Sequence, residues 1–193
     1  GESFVSDLSY HQVNGGGDTC PGYDVILVKK GINGIKKEAE EKLAGLSMEH
    51  PEDIDKIYFY KAEILVCEGI LIYARRLAAY AKSLGEHETD NQRRQELYKL
   101  ADIMTNVPAN PPRTFHEGLQ SVWTMESLFN VAENQTGISL GRVDQYLYPM
   151  YKADREAGRI TKDEAFELLC CFIIKCSEVM WLSSEAAAKY FAG

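Results

Sequence analysis

The strongest constraint on the fold is a long helical repeat of apolar residues between Ile54 and Leu84. Apolar residues recur there every three or four positions over many turns, and Gly69 is the only helix-breaking residue inside the repeat. The positions are Ile57, Ile64, Leu65, Ile70, Leu71, Leu77 and Ala81. A periodic apolar face of this length predicts one long core helix.

Shorter elements are predicted on both sides of this helix. Tyr23 to Val28 is a short apolar run typical of a strand, and Gly34 to Leu46 alternates Lys and Glu with apolar residues, as in a solvent-facing helix. Pro51 marks the start of the long helix. A further helix is predicted from Asn91 to Val107, because the prolines in Pro108 to Pro112 remove backbone donors and restrict the preceding residue.

Two capping boxes predict where the remaining helices begin. Thr114 precedes Glu117 with capping-box spacing, and Thr161 precedes Glu164 in the same way, so each threonine is expected to cap a first turn. The helix after Thr161 is apolar enough to be largely buried. Residues 137–151, between the two helices, are predicted to be extended chain and turn. Because no shift in composition marks a boundary, residues 1–193 are predicted to belong to one domain.

The composition excludes several functional classes. The formal net charge of −8 argues against binding to nucleic acid, which requires an excess of Lys and Arg. No run reaches the roughly 20 apolar residues needed to cross a bilayer. The five cysteines form no CxxC pair or zinc spacing, and an odd number fits poorly with a closed set of disulfides. We therefore expect a cytoplasmic protein without a metal site, in which Cys170, Cys171 and Cys176 are buried, unreactive thiols.

The first candidate site is the stretch Gly15 to Gly17, which leads directly into Asp18. Glycine reaches positive φ and has no Cβ, so this loop can bring the Asp18 carboxylate and the upstream Tyr10 close to one ligand. A carboxylate beside an aromatic ring suits a cation. The same residues also fit an exposed turn with a solvated carboxylate, and the pattern alone leaves both interpretations open.

The second candidate region is residues 139–149, where Arg142, Asp144 and Gln145 lie among apolar and aromatic residues. An Arg and an Asp two residues apart on a strand satisfy each other only imperfectly, so each is expected to have another partner in a buried polar network. His116, at the start of the helix after Thr114, is predicted to be a packing or capping residue rather than a base.

Two blocks of the sequence resemble a known family. Residues 107–123 read VPANPPRTFHEGLQSVW and residues 139–149 read SLGRVDQYLYP, and the acidic and basic segment from Asp90 precedes them. In this order and spacing they closely resemble the N-terminal part of the glycyl radical enzymes, the pyruvate formate-lyase superfamily. The glycine-rich loop with Tyr10, and residues 183–193, further resemble the choline trimethylamine-lyases.

The resemblance implies a fold and a chemistry. The fold is an α/β ten-stranded barrel, of which this chain would form a mostly helical portion with two or three strands. The cofactor is a protein-derived glycyl radical that lies downstream of this chain, as does the catalytic cysteine, and no metal is implied in this chain. A radical S-adenosylmethionine activating enzyme would install the radical in a homodimer, and packaging in a bacterial microcompartment is left open.

The implied substrate is choline, which would be cleaved to trimethylamine and acetaldehyde. Tyr10 and Asp18 match the positions that contact the trimethylammonium group, and no catalytic residue is assigned to this chain. A sister dehydratase acting on glycerol, propanediol or hydroxyproline is an alternative, because an Asp can also hydrogen-bond a hydroxyl group. A helical domain without catalytic activity is a further alternative, and the chain by itself is expected to be inactive.

Overall fold

The computed structural model describes residues 18–19, 21–133 and 137–178. Helices form most of this part of the chain, and two short strands pair with each other. The elements are β1 (Asp18–Thr19), α1 (Asp24–Lys30, with the wide turn of a π-helix), α2 (Gly31–Ala44), α3 (Ile54–His87), α4 (Asn91–Asn106), α5 (Phe115–Glu133), β2 (Gly137–Ile138), α6 (Val143–Tyr146), α7 (Tyr148–Glu156) and α8 (Lys162–Glu178).

The long helix α3 is confirmed, but only one side of it is buried. It packs against α2 and α4 through mostly small residues, and Ala74 and Ala78 meet Met104 of α4. Leu65 was predicted to face the core, which is wrong, because its side chain is 67% exposed. Small residues on the inner side let the neighbouring helices approach closely, and several large apolar residues therefore lie on the outer side. These are Tyr58, Phe59, Leu65, Val66, Ile72 and Tyr80.

The proline-rich connection after α4 holds the start of α2. The amide of Ile32 donates to the carbonyl oxygen of Pro108 at 3.0 Å, and the amide of Asn33 donates to Ala109 at 2.9 Å. Gly31, with φ of 65°, permits this approach, since a Cβ there would lie 2.7 Å from the Ala109 carbonyl oxygen. The amides at the start of α2 are thus satisfied by a loop that is distant in sequence.

Both predicted capping boxes cap helices. The Glu164 amide donates to Thr161 Oγ1 at 3.1 Å, and the Thr161 amide donates back to the Glu164 carboxylate at 2.7 Å. At Thr114 only the first half of the box forms, because the Glu117 amide donates to Thr114 Oγ1 at 3.2 Å while its carboxylate binds Arg113. The helices that begin there, α5 and α8, pack against each other in the main core.

Two extended segments were predicted wrongly. Tyr23 to Val28 is helical rather than a strand, because a helical turn brings Tyr23 and Leu27 to the same buried side of α1. Residues 137–151 are extended only in β2 and then form α6 and α7. Pro149 lies in the first turn of α7, where a backbone amide would have no acceptor within the helix, so the missing N–H of proline costs no hydrogen bond.

The last described helix, α8, is less buried than its composition suggests. Ala165 and Phe172 are buried, but Phe166, Ile173 and Ile174 are each more than half exposed. The prediction that this helix is largely buried is therefore wrong for the described residues, since the main contact of α8 with another described helix is the one with α5. The mostly helical character predicted for this portion is confirmed.

Candidate functional site

The two strands bring the candidate regions of the sequence together. β1 and β2 pair in parallel, with Asp18 opposite Gly137 and Thr19 opposite Ile138. Asp18 is thus adjacent to the start of residues 139–149, although the two regions are far apart in sequence. Tyr10 and Gly15 to Gly17 lie outside the described residues, so the predicted meeting of Tyr10 with Asp18 stays a prediction.

A pocket of about 570 Å³ opens beyond the carboxyl ends of these strands. Because the strands are parallel, both chains leave the pair at the same end, one turning into α1 and the other into α6. Two glycines with positive φ, Gly22 at 71° and Gly141 at 67°, form these turns. The pocket is lined by Gly22, Tyr23, Asp24, Leu140, Arg142 and Tyr146, among others.

Arg142 and Asp144 pair with each other at the surface, contrary to the prediction of a buried network with separate partners. Arg142 Nε and Nη2 donate to the two carboxylate oxygens of Asp144 at 2.9 and 2.8 Å, and both side chains are about two-thirds exposed. The chain turns into α6 here instead of continuing as a strand, so the two side chains converge. The hydrogen bonds from Arg142 hold the pKa of Asp144 below its usual range. Gln145 is also exposed.

A buried pair of polar residues underlies the pocket. The Tyr23 hydroxyl donates to Glu126 Oε1 at 2.7 Å, and only 2% of Tyr23 and 7% of Glu126 are exposed. Burial raises the pKa of the Glu126 carboxyl. Burial also raises the pKa of Tyr23, and the hydrogen bond with Glu126 adds to this effect. Sequence reasoning missed Glu126. The feature that could have indicated it is the position of an acidic residue among the apolar residues of α5.

His116 lies in a different place from this pocket. It is half-buried in the first turn of α5 and lines a separate cleft of about 760 Å³ between α4, α5 and α8. Burial lowers the pKa of His116 to about 4, with the nearby charge of Lys99 acting in the same direction. Its Nδ1 is buried and has no hydrogen-bond partner among the described residues. The ring is therefore neutral at pH 7, which fits the predicted packing role.

The described cysteines differ in their exposure. Burial raises the pKa of Cys67 and of Cys176. Cys171 is exposed, so the prediction that all the thiols of this helix are buried is wrong. In the described part of the chain no three His, Cys, Asp or Glu residues are grouped so that they could hold a metal ion. None of the described helices is long and apolar enough to cross a membrane.

Known proteins resemble this chain in both sequence and structure. Isethionate sulfite-lyase from Desulfovibrio desulfuricans is 43% identical over 171 residues, which cover 86% of this chain and 20% of that protein. The glycerol-bound, B12-independent glycerol dehydratase from Clostridium butyricum matches with a TM-score of 0.84 and 30% identity, over 97% of this chain and 25% of that one. A Roseburia inulinivorans structure described for 1,2-propanediol dehydration matches with a TM-score of 0.83 and 31% identity, over 86% of this chain and 20% of that one.

The matched region is a minor part of each of these proteins, since this chain spans about a fifth to a quarter of their length. The model of the pyruvate formate lyase-like family matches residues 1–193, the whole chain. The resemblance seen in residues 107–123 and 139–149 is thereby confirmed at the level of the superfamily. This chain belongs to the pyruvate formate lyase-like family of glycyl radical enzymes.

Proposed function

We propose that this chain is part of a glycyl radical lyase that cleaves choline to trimethylamine and acetaldehyde, and that β1 supplies part of the substrate pocket. The observation that carries this proposal is the parallel pairing of Asp18 with Gly137, because the two strands lead into the residues that line a pocket of about 570 Å³. Crevices at the carboxyl ends of parallel strands are common ligand sites. A carboxylate supplied to such a crevice by Asp18 would favour a cationic substrate.

Asp18 and Tyr10 are the proposed substrate-binding residues. A quaternary ammonium group has no N–H donor, so it is recognised by negative charge, by aromatic faces and by oxygen atoms that accept its polarised C–H groups. Asp18 would provide the charge and Tyr10 the aromatic face. Both act on the end of choline that leaves, so we expect them to orient the substrate rather than to react with it.

The reacting groups are proposed to lie in the part of the protein outside this chain. The glycyl radical, relayed through a cysteine, would supply abstraction of a hydrogen atom from the carbon that carries the hydroxyl group. Installation by a radical S-adenosylmethionine activating enzyme, a homodimeric state and a cytoplasmic location belong to the same proposal, because family membership is their only support.

A second candidate is cleavage of isethionate, which the 43% identity to isethionate sulfite-lyase favours. Choline and isethionate are both two-carbon alcohols with a charged group on the second carbon, but the charges have opposite signs. The Asp18 carboxylate that we propose for this pocket would attract trimethylammonium and repel a sulfonate. The likeness to glycerol dehydratase supports a neutral diol as a third candidate, for which Asp18 would accept a hydrogen bond from a hydroxyl group.

The test is an anaerobic assay of the complete protein with its activating enzyme and S-adenosylmethionine. Choline, isethionate, glycerol, propanediol and hydroxyproline are supplied separately, and trimethylamine, sulfite, aldehydes and the dehydration product of hydroxyproline are measured together with the radical. Trimethylamine from choline supports the proposal, whereas sulfite from isethionate or dehydration of one of the other substrates replaces it with that candidate. A protein that accepts no radical would be the helical domain without catalytic activity.

The role of Asp18 is tested separately with Asp18→Asn, which keeps the shape and removes the charge. We expect the KM for choline to rise by about tenfold or more, because a charged contact is worth more than about 1.4 kcal/mol in a dry pocket. Asp163→Asn, on the exposed first turn of α8, is the matched control. An Asp18→Asn enzyme with full radical content and an unaltered KM would refute this role.

A further inference from the structure

We infer that the buried hydrogen bond between Tyr23 and Glu126 is a tether that holds the pocket wall and β1 in place, so that both residues position the substrate-binding residues of this enzyme. The inference rests on the proposed function in one respect only, namely that the substrate lies in the pocket beside β1. It does not depend on which substrate this is. Neither residue is proposed to react.

The geometry connects the pocket to the most buried helix of the fold. Tyr23 follows Gly22 directly and lines the pocket, while its hydroxyl reaches Glu126 Oε1 at 2.7 Å. Glu126 lies on α5, directly after the core residue Met125, and is 103 residues away from Tyr23 in sequence. In the described part of the chain, this is the one side-chain hydrogen bond found for the Glu126 carboxylate.

The short strands and turns beside the pocket are not stable by themselves. β1 and β2 have two residues each, and a two-stranded pair is at best marginally stable in water. Gly22 and Gly141 then turn the two chains away from the strands, and glycine adds freedom at both turns. A contact with a rigid element is therefore needed, and the Tyr23 hydroxyl makes one to α5, only five residues after Asp18 in the sequence.

A role in stability alone accounts poorly for an acidic residue at this place. Burial of a glutamate is unfavourable unless it is hydrogen-bonded, and an apolar residue of similar size is often as stable or more stable. The Glu126 carboxylate instead fixes the orientation of Tyr23, because it accepts a short hydrogen bond from the Tyr23 hydroxyl. Orientation matters for binding, because the side chains of a binding site must be held within about 0.5 Å of their productive geometry.

The experiment compares Tyr23→Phe and Glu126→Gln in the complete, activated protein. Tyr23→Phe removes the donor, whereas Glu126→Gln keeps an oxygen that can accept the bond, so its effects should be smaller. Glu117→Gln changes another buried glutamate of α5, one that binds Arg113 rather than Tyr23. Tyr151→Phe removes a hydroxyl group from a tyrosine of α7, whose ring packs against Phe115. These two variants control for stability and for loss of a tyrosine hydroxyl.

Two readouts are measured for each variant. The first is hydrogen exchange of peptides that cover residues 18–30, which we expect to be about tenfold faster in Tyr23→Phe and unchanged in both controls. The second is steady-state kinetics with the radical content measured, in which we expect KM to rise about tenfold while kcat stays within about twofold. A residue that only stabilised the fold would lower radical content or active fraction without this change in KM.

The outcomes separate the tether from the proposed function. Faster exchange with unchanged KM overturns the positioning role, and unchanged exchange overturns the tether itself. If the enzyme acts on a substrate other than choline, the choline proposal fails while the KM for that other substrate tests the tether. If none of the five substrates is turned over, the exchange measurement decides, because a tether must loosen residues 18–30 when the Tyr23 hydroxyl is removed.

Discussion

The buried carboxylate of Glu117 helps to hold the start of α5, and the loss of its charge gives the sharpest prediction about stability. Glu117 is 3% exposed and accepts hydrogen bonds from the Arg113 amide at 2.6 Å, from Arg113 Nη2 at 2.5 Å and from Asn106 Nδ2 at 2.9 Å. The change Glu117→Gln removes the charge and places an amide group that donates hydrogen bonds against these donors. At least one of these partly buried donors then loses its acceptor.

The magnitude follows from the number and burial of these bonds. Loss of one partner from a buried charged pair costs about 3–5 kcal/mol, and a hydrogen bond to a charged group contributes about 1.5–3 kcal/mol. The lower range applies to Glu117, since the Arg113 side chain is 67% exposed and regains water when the pair is broken. We therefore expect local opening of the first turns of α5 to become easier by about 2–3 kcal/mol, or about 30-fold to 150-fold in hydrogen exchange.

The pH dependence has a definite sign. Burial alone would raise the pKa of Glu117, but hydrogen bonds from Arg113 outweigh it and hold the folded pKa below the ordinary value of 4.5. The stabilisation is thus complete above the unfolded pKa and is lost as the pH falls through the folded pKa. Native-state exchange of α5 peptides is measured at pH 7 and at a series of lower pH values, and the two proteins should converge as the Glu117 carboxylate becomes protonated. A decrease in protection of less than about threefold at pH 7 would refute this account.

Two further predictions concern glycines and thiols. Gly69→Ala should raise the free energy of unfolding by up to about 1 kcal/mol, because no atom outside its own helical turn lies within 4 Å of the new Cβ. Gly85→Ala in the same helix should lower the free energy of unfolding by about 1–3 kcal/mol, because its Cβ would lie 2.8 Å from the Tyr98 ring. Equal effects in calorimetry would contradict the packing of α3 on α4. Iodoacetamide should modify Cys171 well before Cys67, whose pKa is raised by burial, and mass spectrometry that found the reverse order would contradict the described surface.

The parts of the fold that were predicted correctly depend on neighbours in sequence. The periodic face of α3, the end of α4 before Pro108 and the caps at Thr114 and Thr161 all involve residues within about one helical turn of each other. Such patterns are visible without knowledge of the rest of the chain. The resemblance in residues 107–123 and 139–149 also depends on order and spacing alone, and it led to the correct superfamily.

The errors occur where distant contacts outweigh local preference. Val25, Ile26 and Val28 favour a strand by propensity, yet the segment is helical because Tyr23 and Leu27 reach the core only on one side of a helix. Similarly, the apolar content of α8 predicted burial, but burial requires a neighbouring element, and α5 covers one side of it. Apolar residues favour burial, but their presence does not specify which element of the fold will cover them.

By itself, the sequence determined helices α2 to α5 and α8 and the superfamily, and it pointed to Asp18 as a candidate ligand for a cation, because these depend on local spacing and residue type. Only the tertiary structure decided that Asp18 pairs with Gly137, that Arg142 and Asp144 meet at the surface, and that Glu126 binds Tyr23 beneath the pocket. The physical reason is that the first and the last of these contacts join residues that are distant in the sequence. The pairing of Asp18 with Gly137 and the bond from Tyr23 to Glu126 each join residues more than 100 positions apart, and they form only when the core brings the elements together.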